Sequence, residues 1–284
     1  MQNTQNHKKI LISKLFEIDI LDVMLGNYNL DDRQNSVLNA KIKLLESGMP
    51  LDYVIGFVEV LDLKLELNNS TLIPREETLW WLPKISDKII DVIIKISQQS
   101  KDSLFVGVDV GTGSGLIGLY LAMRLGQHCK DFYLLDIDQN SLKTANKNAN
   151  QNSSQLKIDQ VKFVLSDGLS ALPYFDSEWF LVANLPYLPI ADIDFAKEYN
   201  VSFEPVIALY SGCDGLELYR RILTELQDLA LKNQKLPFLV AWELDPRNIQ
   251  TAKILLEQIN YKCEIWVDQG KYERVLIGCL DSNN

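Results

Sequence analysis

The sequence predicts an α/β protein in which helices alternate with the strands of a mostly parallel seven-stranded sheet. Seven short apolar runs predict the strands, at 104–109, 132–135, 161–165, 179–183, 238–244, 261–267 and 274–279. Strands that alternate with helices form parallel sheets, whereas the last two runs have no helix between them and predict a closing antiparallel pair. A glycine-rich turn after the first run is typical of such folds. Helical periodicity before residue 56 predicts a small helical unit in front of the sheet.

The composition is that of a globular protein with an acidic balance. The chain has 284 residues and a formal net charge of −10, which opposes a nucleic-acid partner unless basic residues cluster in the fold. Four scattered cysteines and two histidines indicate neither a disulfide framework nor a zinc site, so we expect no metal. We find no apolar run long enough to span a membrane and no secretory signal at the start. We therefore expect a cytoplasmic location without membrane attachment.

The first 74 residues predict a helical domain followed by a hairpin. Apolar residues three and four apart predict helices at 8–25 and 31–46, and a short third helix at 51–55. We expect residues 1–56 to be a substrate-docking domain, although a packing cap is the other interpretation. Alternating leucines at 61–67 predict a strand that turns at Asn68-Asn69-Ser70 and returns over 71–73, so we assign 57–74 to a linking β-hairpin. Residues 75–284 then form the main domain, which opens with helical segments separated by Pro83.

The ends of the first three predicted strands indicate a cofactor site. Gly111-Thr112-Gly113-Ser114-Gly115 lets the backbone approach a ligand closely, and Asp136-Ile137-Asp138 places an acid where it can accept hydrogen bonds from ribose hydroxyls. Together they predict an adenosine-containing cofactor. Leu116 stands where a dinucleotide fingerprint needs its third glycine, which favours the methyl-donor version of the fold over hydride transfer. Asp167-Gly168 would contact the adenine; the alternative is a solvated acid at a strand end.

The fourth predicted strand ends in the tetrad Asn184-Leu185-Pro186-Tyr187. The Asn184 side-chain oxygen and the Leu185 carbonyl can both accept hydrogen bonds from one NH2 group, while the Tyr187 ring packs over the planar group that carries it. The alternative interpretation is a strand end, a proline turn and a core tyrosine. A loop with several breakers follows at 189–215, and a loop of that length predicts a substrate lid.

With these motifs the chain resembles the HemK-type protein-glutamine N5-methyltransferases, which modify the Gly-Gly-Gln loop of peptide-chain release factors. The resemblance rests on an ordered set of segments, at 50–56, 72–78, 109–115, 136–138, 184–187, 203–205, 208–209, 212–216 and 219–220. It implies a class I S-adenosylmethionine-dependent methyltransferase with a Rossmann-like sheet, and a release factor as protein substrate. It also implies site residues. The cofactor would be held by Gly111, Thr112, Gly113, Ser114, Gly115, Asp136, Ile137, Asp167, Gly168 and Asn184. The tetrad would bind the glutamine and carry the catalysis, and Arg75 would hold the substrate or organise the pocket.

The chain departs from the family pattern at several positions. Leu185 replaces a proline of the tetrad, Glu76 and Leu79 change the segment after Arg75, and Glu243-Leu244-Asp245 replaces a Glu-Ile-Gly element. The form Asn-Leu-Pro-Tyr also resembles ribosomal RNA adenine N6-dimethylases, so an adenine N6-methyltransferase of RNA or DNA is the alternative function, and a non-catalytic cofactor-binding paralogue is a third. Arg75 has a simpler interpretation too, as a solvated helix start with an ion pair. The acidic charge and the helical N-terminal domain favour a protein substrate, and we expect a monomer.

Overall fold

The computed structural model describes residues 2–98, 104–193 and 203–281. The strands within these residues are β1 Phe57–Val60, β2 Leu63–Glu66, β3 Phe105–Val110, β4 Cys129–Asp136, β5 Val161–Leu165, β6 Trp179–Ala183, β7 Leu239–Glu243, β8 Tyr261–Val267 and β9 Glu273–Leu280. Strands β1 and β2 form a separate hairpin. The other seven form the main sheet in the spatial order β5-β4-β3-β6-β7-β9-β8, and β9 runs antiparallel to both of its neighbours while the other pairs are parallel. This confirms the predicted α/β fold.

Helices cover both faces of the sheet. Their bounds are α1 Gln2–Phe16, α2 Ile20–Leu25, α3 Asp32–Glu46, α4 Leu51–Ile55, α5 Glu76–Ser97, α6 Leu116–Leu125, α7 Gln139–Gln151, α8 Glu217–Leu231 and α9 Ile249–Glu257. Helices α5 and α6 share one apolar core with the sheet, and α8 and α9 share the core on its other face. Because successive side chains of a strand point to opposite faces, strands buried on both faces read as continuous apolar runs. Within the described residues, none of the helices is long and apolar enough to cross a membrane.

The four N-terminal helices pack around a small core of their own, which contains Leu11, Val23, Leu38 and Val54. The single helix predicted at 8–25 is wrong, because the chain forms two helices there. Glu17 has a positive φ of 54° that ends α1, and the Asp19 side chain accepts a hydrogen bond from the Leu21 amide to start α2. The other two helices agree with the predicted ranges 31–46 and 51–55 to within one residue. The Asp31 side chain caps α3 by accepting a hydrogen bond from the Gln34 amide.

The hairpin turns at a different place from the one predicted. Its two-residue turn is Leu61-Asp62, where φ is 49° and 65°, and this conformation matches the twist of tightly connected strands. The predicted strand at 61–67 is therefore only the second arm, and the returning strand at 71–73 is wrong. Asn68 accepts the Ser70 amide with its side chain and the Thr71 amide with its carbonyl. These bonds make a local turn instead of a strand pair.

Asn148 of α7 and Asn152, the residue that directly follows this helix, take the place of a neighbouring strand along β2. Asn152 accepts the Lys64 amide at 3.0 Å and donates to the Lys64 carbonyl at 2.8 Å. Asn148 accepts the Glu66 amide at 2.7 Å and donates to the Glu66 carbonyl at 3.1 Å. Since the two asparagines are four residues apart on one helix face, they match alternate residues of the strand. The hairpin edge is thereby closed against the main domain.

Helix α5 runs through Pro83 without interruption, so the predicted break at this residue is wrong. A proline inside a helix removes one hydrogen bond and costs about 3 kcal/mol. Here Trp81, Leu82, Ile85 and Ile89 are all fully buried on both sides of the proline. Each buried side chain of this size contributes about 2 kcal/mol, so packing of the continuous helix outweighs the defect.

The carboxyl ends of the parallel strands meet where the chain order reverses. Strand β3 lies between β4 on one side and β6 on the other, and ligands of open α/β sheets bind in the crevice at such a point. Ile207 and Ala208, which belong to the predicted loop at 189–215, lie at this edge. The described ends of this loop form short 3₁₀ turns at Ile190–Asp192 and Val206–Ala208, while 194–202 lie outside the described residues, so the predicted lid stays a prediction.

Candidate active site

One cavity lies at this edge, and most of the predicted site residues line it. Its wall contains Arg75, Gly111, Thr112, Gly113, Ser114, Asp136, Ile137, Asp167, Gly168, Asn184, Leu185 and Pro186. Gly115 and Tyr187 are the predicted residues that are absent from the wall. The structure thus brings the ends of β3, β4, β5 and β6 together around one space.

The glycine loop leaves β3 in a conformation that only glycine adopts readily. Gly111 and Gly113 have positive φ values of 72° and 55°, and a side chain on Gly111 would lie 2.8 Å from the Leu185 side chain. A side chain on Gly113 would meet nothing within 4 Å, so the backbone there borders open space. The loop therefore offers backbone at close range to a ligand, as the sequence predicts.

Asp109 holds this loop from inside the protein. Its Oδ2 accepts hydrogen bonds from the Thr112 hydroxyl at 2.6 Å and the Gly118 amide at 2.9 Å. Its Oδ1 is one of two buried side-chain atoms without a hydrogen-bond partner among the described residues. Burial raises the pKa of the Asp109 carboxyl to about 7, against the opposing effect of the two hydrogen bonds.

Asp136 is built into the same loop. Its Oδ2 accepts the Gly113 amide at 2.9 Å and its Oδ1 accepts the Asp138 amide at 2.9 Å. A carboxylate has about four lone-pair sites, so these two bonds leave acceptor capacity for a pair of hydroxyls. Ile137 beside it is 51% exposed although it lines the cavity, so its apolar surface is available to a planar group.

Asp167 is paired with an arginine that the sequence did not single out. Arg221 of α8 lies 2.5 Å from the Asp167 carboxylate and donates to the Asp167 carbonyl at 3.1 Å. Glu225, one turn further on, accepts the Leu169 amide at 2.8 Å. The adenine contact of Asp167 and Gly168 stays a prediction, but the structure shows that α8 fixes this corner of the cavity.

The side chain of Asn184 is the first member of a buried polar chain. Its Nδ2 donates to the Thr78 hydroxyl at 3.2 Å, and Thr78 donates to Glu243 Oε2 at 2.6 Å. The Trp81 indole donates to the same oxygen at 2.7 Å. Burial is the main cause that raises the pKa of Glu243, and the hydrogen bonds from Thr78 and Trp81 oppose it.

Leu185 brings a backbone amide that a proline would lack, and the structure supplies an acceptor for it. The Leu185 N–H donates to the Tyr219 hydroxyl at 3.2 Å. That hydroxyl lies 2.5 Å from the Glu243 carbonyl oxygen and 3.1 Å from the Leu185 carbonyl oxygen. Since a tyrosine hydroxyl has one proton, it donates its hydrogen bond to the nearer oxygen, the Glu243 carbonyl. The Leu185 carbonyl therefore remains able to accept a hydrogen bond from a substrate.

Tyr187 and Arg75 are held by carboxylates. The Tyr187 hydroxyl lies 3.5 Å from Glu243 Oε1, and burial together with that carboxylate raises the pKa of Tyr187. Arg75 forms an ion pair with Glu204, a buried residue of the 189–215 loop. The partner is therefore distant in sequence, and neither adjacent acid of α5 forms the expected local pair.

Sequence reasoning assigned no supporting role in the site to four residues, Thr78, Tyr219, Arg221 and Glu243. Three of them lie in or beside segments that carry the family resemblance, which was the available signal. Their roles depend on contacts between residues more than thirty positions apart, and no local pattern contains such contacts. In the described residues, no three His, Cys, Asp or Glu side chains come together as a possible metal site.

Comparison with known proteins agrees with this geometry. Residues 101–183 match a methyltransferase domain family. The chain is 31% identical to the release factor glutamine methyltransferase of Bacillus cereus, with 89% of this chain and 84% of that protein covered. It is 30% identical to the protein of the same name from Francisella tularensis, with 80% and 74% covered.

Solved structures show the same fold. The human Mettl16 catalytic domain in complex with MAT2A 3′UTR hairpin 1 superposes with a TM-score of 0.56 at 16% identity, and covers 90% of this chain and 83% of that one. At that identity the match establishes the class I methyltransferase architecture and nothing finer. With relatives of 30% identity or more over most of their length, the chain belongs to the release factor glutamine methyltransferase family.

Proposed function

We propose that this protein transfers a methyl group from S-adenosylmethionine to the side-chain amide nitrogen of the glutamine in the Gly-Gly-Gln motif of a peptide-chain release factor. The observation that carries the proposal is the position of Asn184 and Leu185. Both line the cavity beside the glycine loop, at the end of the neighbouring strand. An NH2 group that they hold therefore faces the methyl-donor site.

The residues of the cavity fit the cofactor. The open backbone at Gly113 suits the methionine chain of the cofactor. Asp136 has acceptor capacity left for the ribose hydroxyls, and the exposed side chain of Ile137 suits the flat base. When bound, S-adenosylmethionine would supply the electrophile, which is the carbon of a methyl group attached to a positively charged sulfur. We infer that Asp167 and Gly168 border the adenine, since they line the end of the cavity beyond β5.

The residues of the tetrad would act by positioning. An amide nitrogen is a poor nucleophile because it shares its lone pair with the carbonyl. Asn184 Oδ1 and the Leu185 carbonyl each accept a hydrogen bond from one N–H group of the substrate. These bonds increase the electron density on the nitrogen and orient its lone pair in one direction. The proton that nitrogen loses can pass to solvent after transfer, so no side chain need act as a general base.

We infer that the helical N-terminal residues, 1–56, dock the release factor, that 57–74 link them to the catalytic residues 75–284, and that the enzyme works as a monomer. The support is the separate core of the four helices and their attachment through the hairpin. Tyr53 donates to the Thr71 carbonyl at 2.6 Å, and this contact holds the helices beside the segment that leads to Arg75. A protein substrate also suits a chain of net charge −10 better than a nucleic acid does.

The test supplies labelled S-adenosylmethionine together with a release factor, with the same factor carrying Gln→Ala in its Gly-Gly-Gln loop, or with ribosomal RNA. We expect label only in the unaltered factor. Label in RNA alone would establish the adenine-directed alternative, and label in none would favour a non-catalytic protein. Asn184→Ala should lower kcat by about 100-fold or more while cofactor binding persists. Asn150→Ala, on the exposed side of α7, is the control.

A further inference from the structure

The amide of Asn184 can present either of two chemically opposite ends to the cavity. Its oxygen accepts hydrogen bonds and its nitrogen donates them, although the two ends have nearly the same shape. Only the oxygen can receive an N–H of the substrate. We propose that Thr78, itself oriented by Glu243, is a positioning residue that keeps the Asn184 oxygen turned towards the substrate. This inference rests on the proposed function.

The direction of the hydrogen bonds is set at Glu243 Oε2. An indole N–H can only donate, so the contact of 2.7 Å from Trp81 makes this oxygen an acceptor. An ionised carboxylate oxygen has no proton to give, so the Thr78 hydroxyl, 2.6 Å from the same oxygen, donates its one proton there. A proton on Oε1, the oxygen that faces the Tyr187 hydroxyl, leaves this direction unchanged.

The orientation of the Thr78 hydroxyl determines the orientation of the Asn184 amide. Because the only proton of the Thr78 hydroxyl is used, this oxygen offers lone pairs to its other neighbour at 3.2 Å. The amide nitrogen of Asn184 satisfies them, whereas a flipped amide would bring two lone-pair oxygens together with no proton between them. The flipped state is disfavoured further because Thr78, Trp81 and Glu243 are at most 3% exposed, which excludes competing water.

The positioning chain is anchored outside the tetrad. Thr78 and Trp81 are three residues apart and so share one face of α5, and Glu243 is the last residue of β7. Two rigid elements therefore meet at the carboxylate and orient a side chain that follows a third, β6. This arrangement suits a group that must hold one orientation through every turnover.

The experiment compares Thr78→Val, which has the same shape without the hydroxyl, with Thr78→Ser, which keeps it. We expect Thr78→Val to lower kcat for release-factor methylation about 10-fold or more, with the KM for the factor and the Kd for S-adenosylmethionine changed less than about threefold. Thr78→Ser should restore most of kcat. Thr224→Val is the matched control, because that exposed hydroxyl donates only to the Arg220 carbonyl of its own helix.

A second measurement separates positioning from general damage to the fold. In an Asn184→Ala background Thr78→Val should cause no further loss of kcat, because the amide that it orients is gone. Equal losses in both backgrounds, or a Thr78→Val enzyme with wild-type kcat, would overturn the inference. If Thr78→Val is poorly folded by circular dichroism, Thr78→Ala takes its place in the same comparison. A wild-type protein that leaves the glutamine unmethylated would instead contradict the proposed function.

Discussion

The hydrogen bond from Leu185 to Tyr219 predicts a specific coupling between two substitutions. Tyr219→Phe removes the hydroxyl that accepts the Leu185 N–H at 3.2 Å and lies 2.5 Å from the Glu243 carbonyl oxygen. Leu185→Pro removes the same N–H from the other side and restores the usual residue of the family at this position. The free energy of unfolding of the two single variants and the double variant therefore isolates this one bond.

The magnitude follows from burial. Leu185 is 6% exposed and Tyr219 is 0% exposed, so an N–H that loses this acceptor finds no water. A buried backbone donor left unpaired costs about 1–3 kcal/mol. Tyr219→Phe should thus destabilise the wild-type chain by that amount more than it destabilises the Leu185→Pro chain. The side-chain burial lost in Leu185→Pro is the same with and without Tyr219→Phe, so it cancels in the comparison.

Urea unfolding at 25 °C measures the four proteins of this cycle. Tyr261→Phe is the matched control, since Tyr261 is also buried and its hydroxyl donates to the Pro237 carbonyl at 2.7 Å, away from the tetrad. It should combine additively with Leu185→Pro, within about 0.5 kcal/mol. A coupling between Tyr219→Phe and Leu185→Pro that is no larger than in the control would refute the assignment of Tyr219 as the partner of this amide.

Two further predictions concern stability. Burial raises the pKa of Asp109 from the ordinary 3.8 to about 7 in the folded state. The folded state therefore holds the extra proton between these values, and stability falls as pH rises through them. Asp109→Asn should remove a loss of about 2 kcal/mol between pH 5 and 7, and an unchanged dependence of the unfolding free energy on pH in this variant would contradict the prediction. Asn148→Ala removes the side chain that hydrogen-bonds to the Glu66 amide, the Glu66 carbonyl and the Ser114 carbonyl. We therefore expect this variant to lose about 3 kcal/mol of stability and its Glu66 amide to exchange faster. If Asn148→Ala is destabilised no more than the exposed control Asn150→Ala, the prediction is refuted.

The parallel core of the fold could be predicted from sequence because its signals are local. The strands after Leu104 are apolar runs bounded by breakers, and each predicted strand end lies within a few residues of its observed place. The site residues that follow these strands were predicted for the same reason, since parallel strands bring their carboxyl ends to one edge. Twelve of the fourteen named site residues line the cavity.

The errors occurred where tertiary contacts decide local structure. The hairpin turn at Leu61-Asp62 contains no glycine or asparagine, and its register is fixed by Asn148 and Asn152 more than eighty residues away. Pro83 is tolerated because a buried face continues past it. In both cases the sequence pattern indicated the structure that local conformational preferences favour, whereas packing against distant residues stabilised a different one.

Glu243 connects the two acceptors of the tetrad, although the sequence marked it only as part of a weakened motif. Its carboxylate orients Thr78 next to Asn184, and its backbone carbonyl receives the Tyr219 hydroxyl that binds the Leu185 amide. The residue before the tetrad and the residue before Glu243 are paired, because β6 and β7 are in register there. Contacts with Glu243 of the adjacent strand therefore fix the positions of both acceptors, the Asn184 side chain and the Leu185 carbonyl. For this reason a leucine can replace the proline of the tetrad and still present its carbonyl at a defined place.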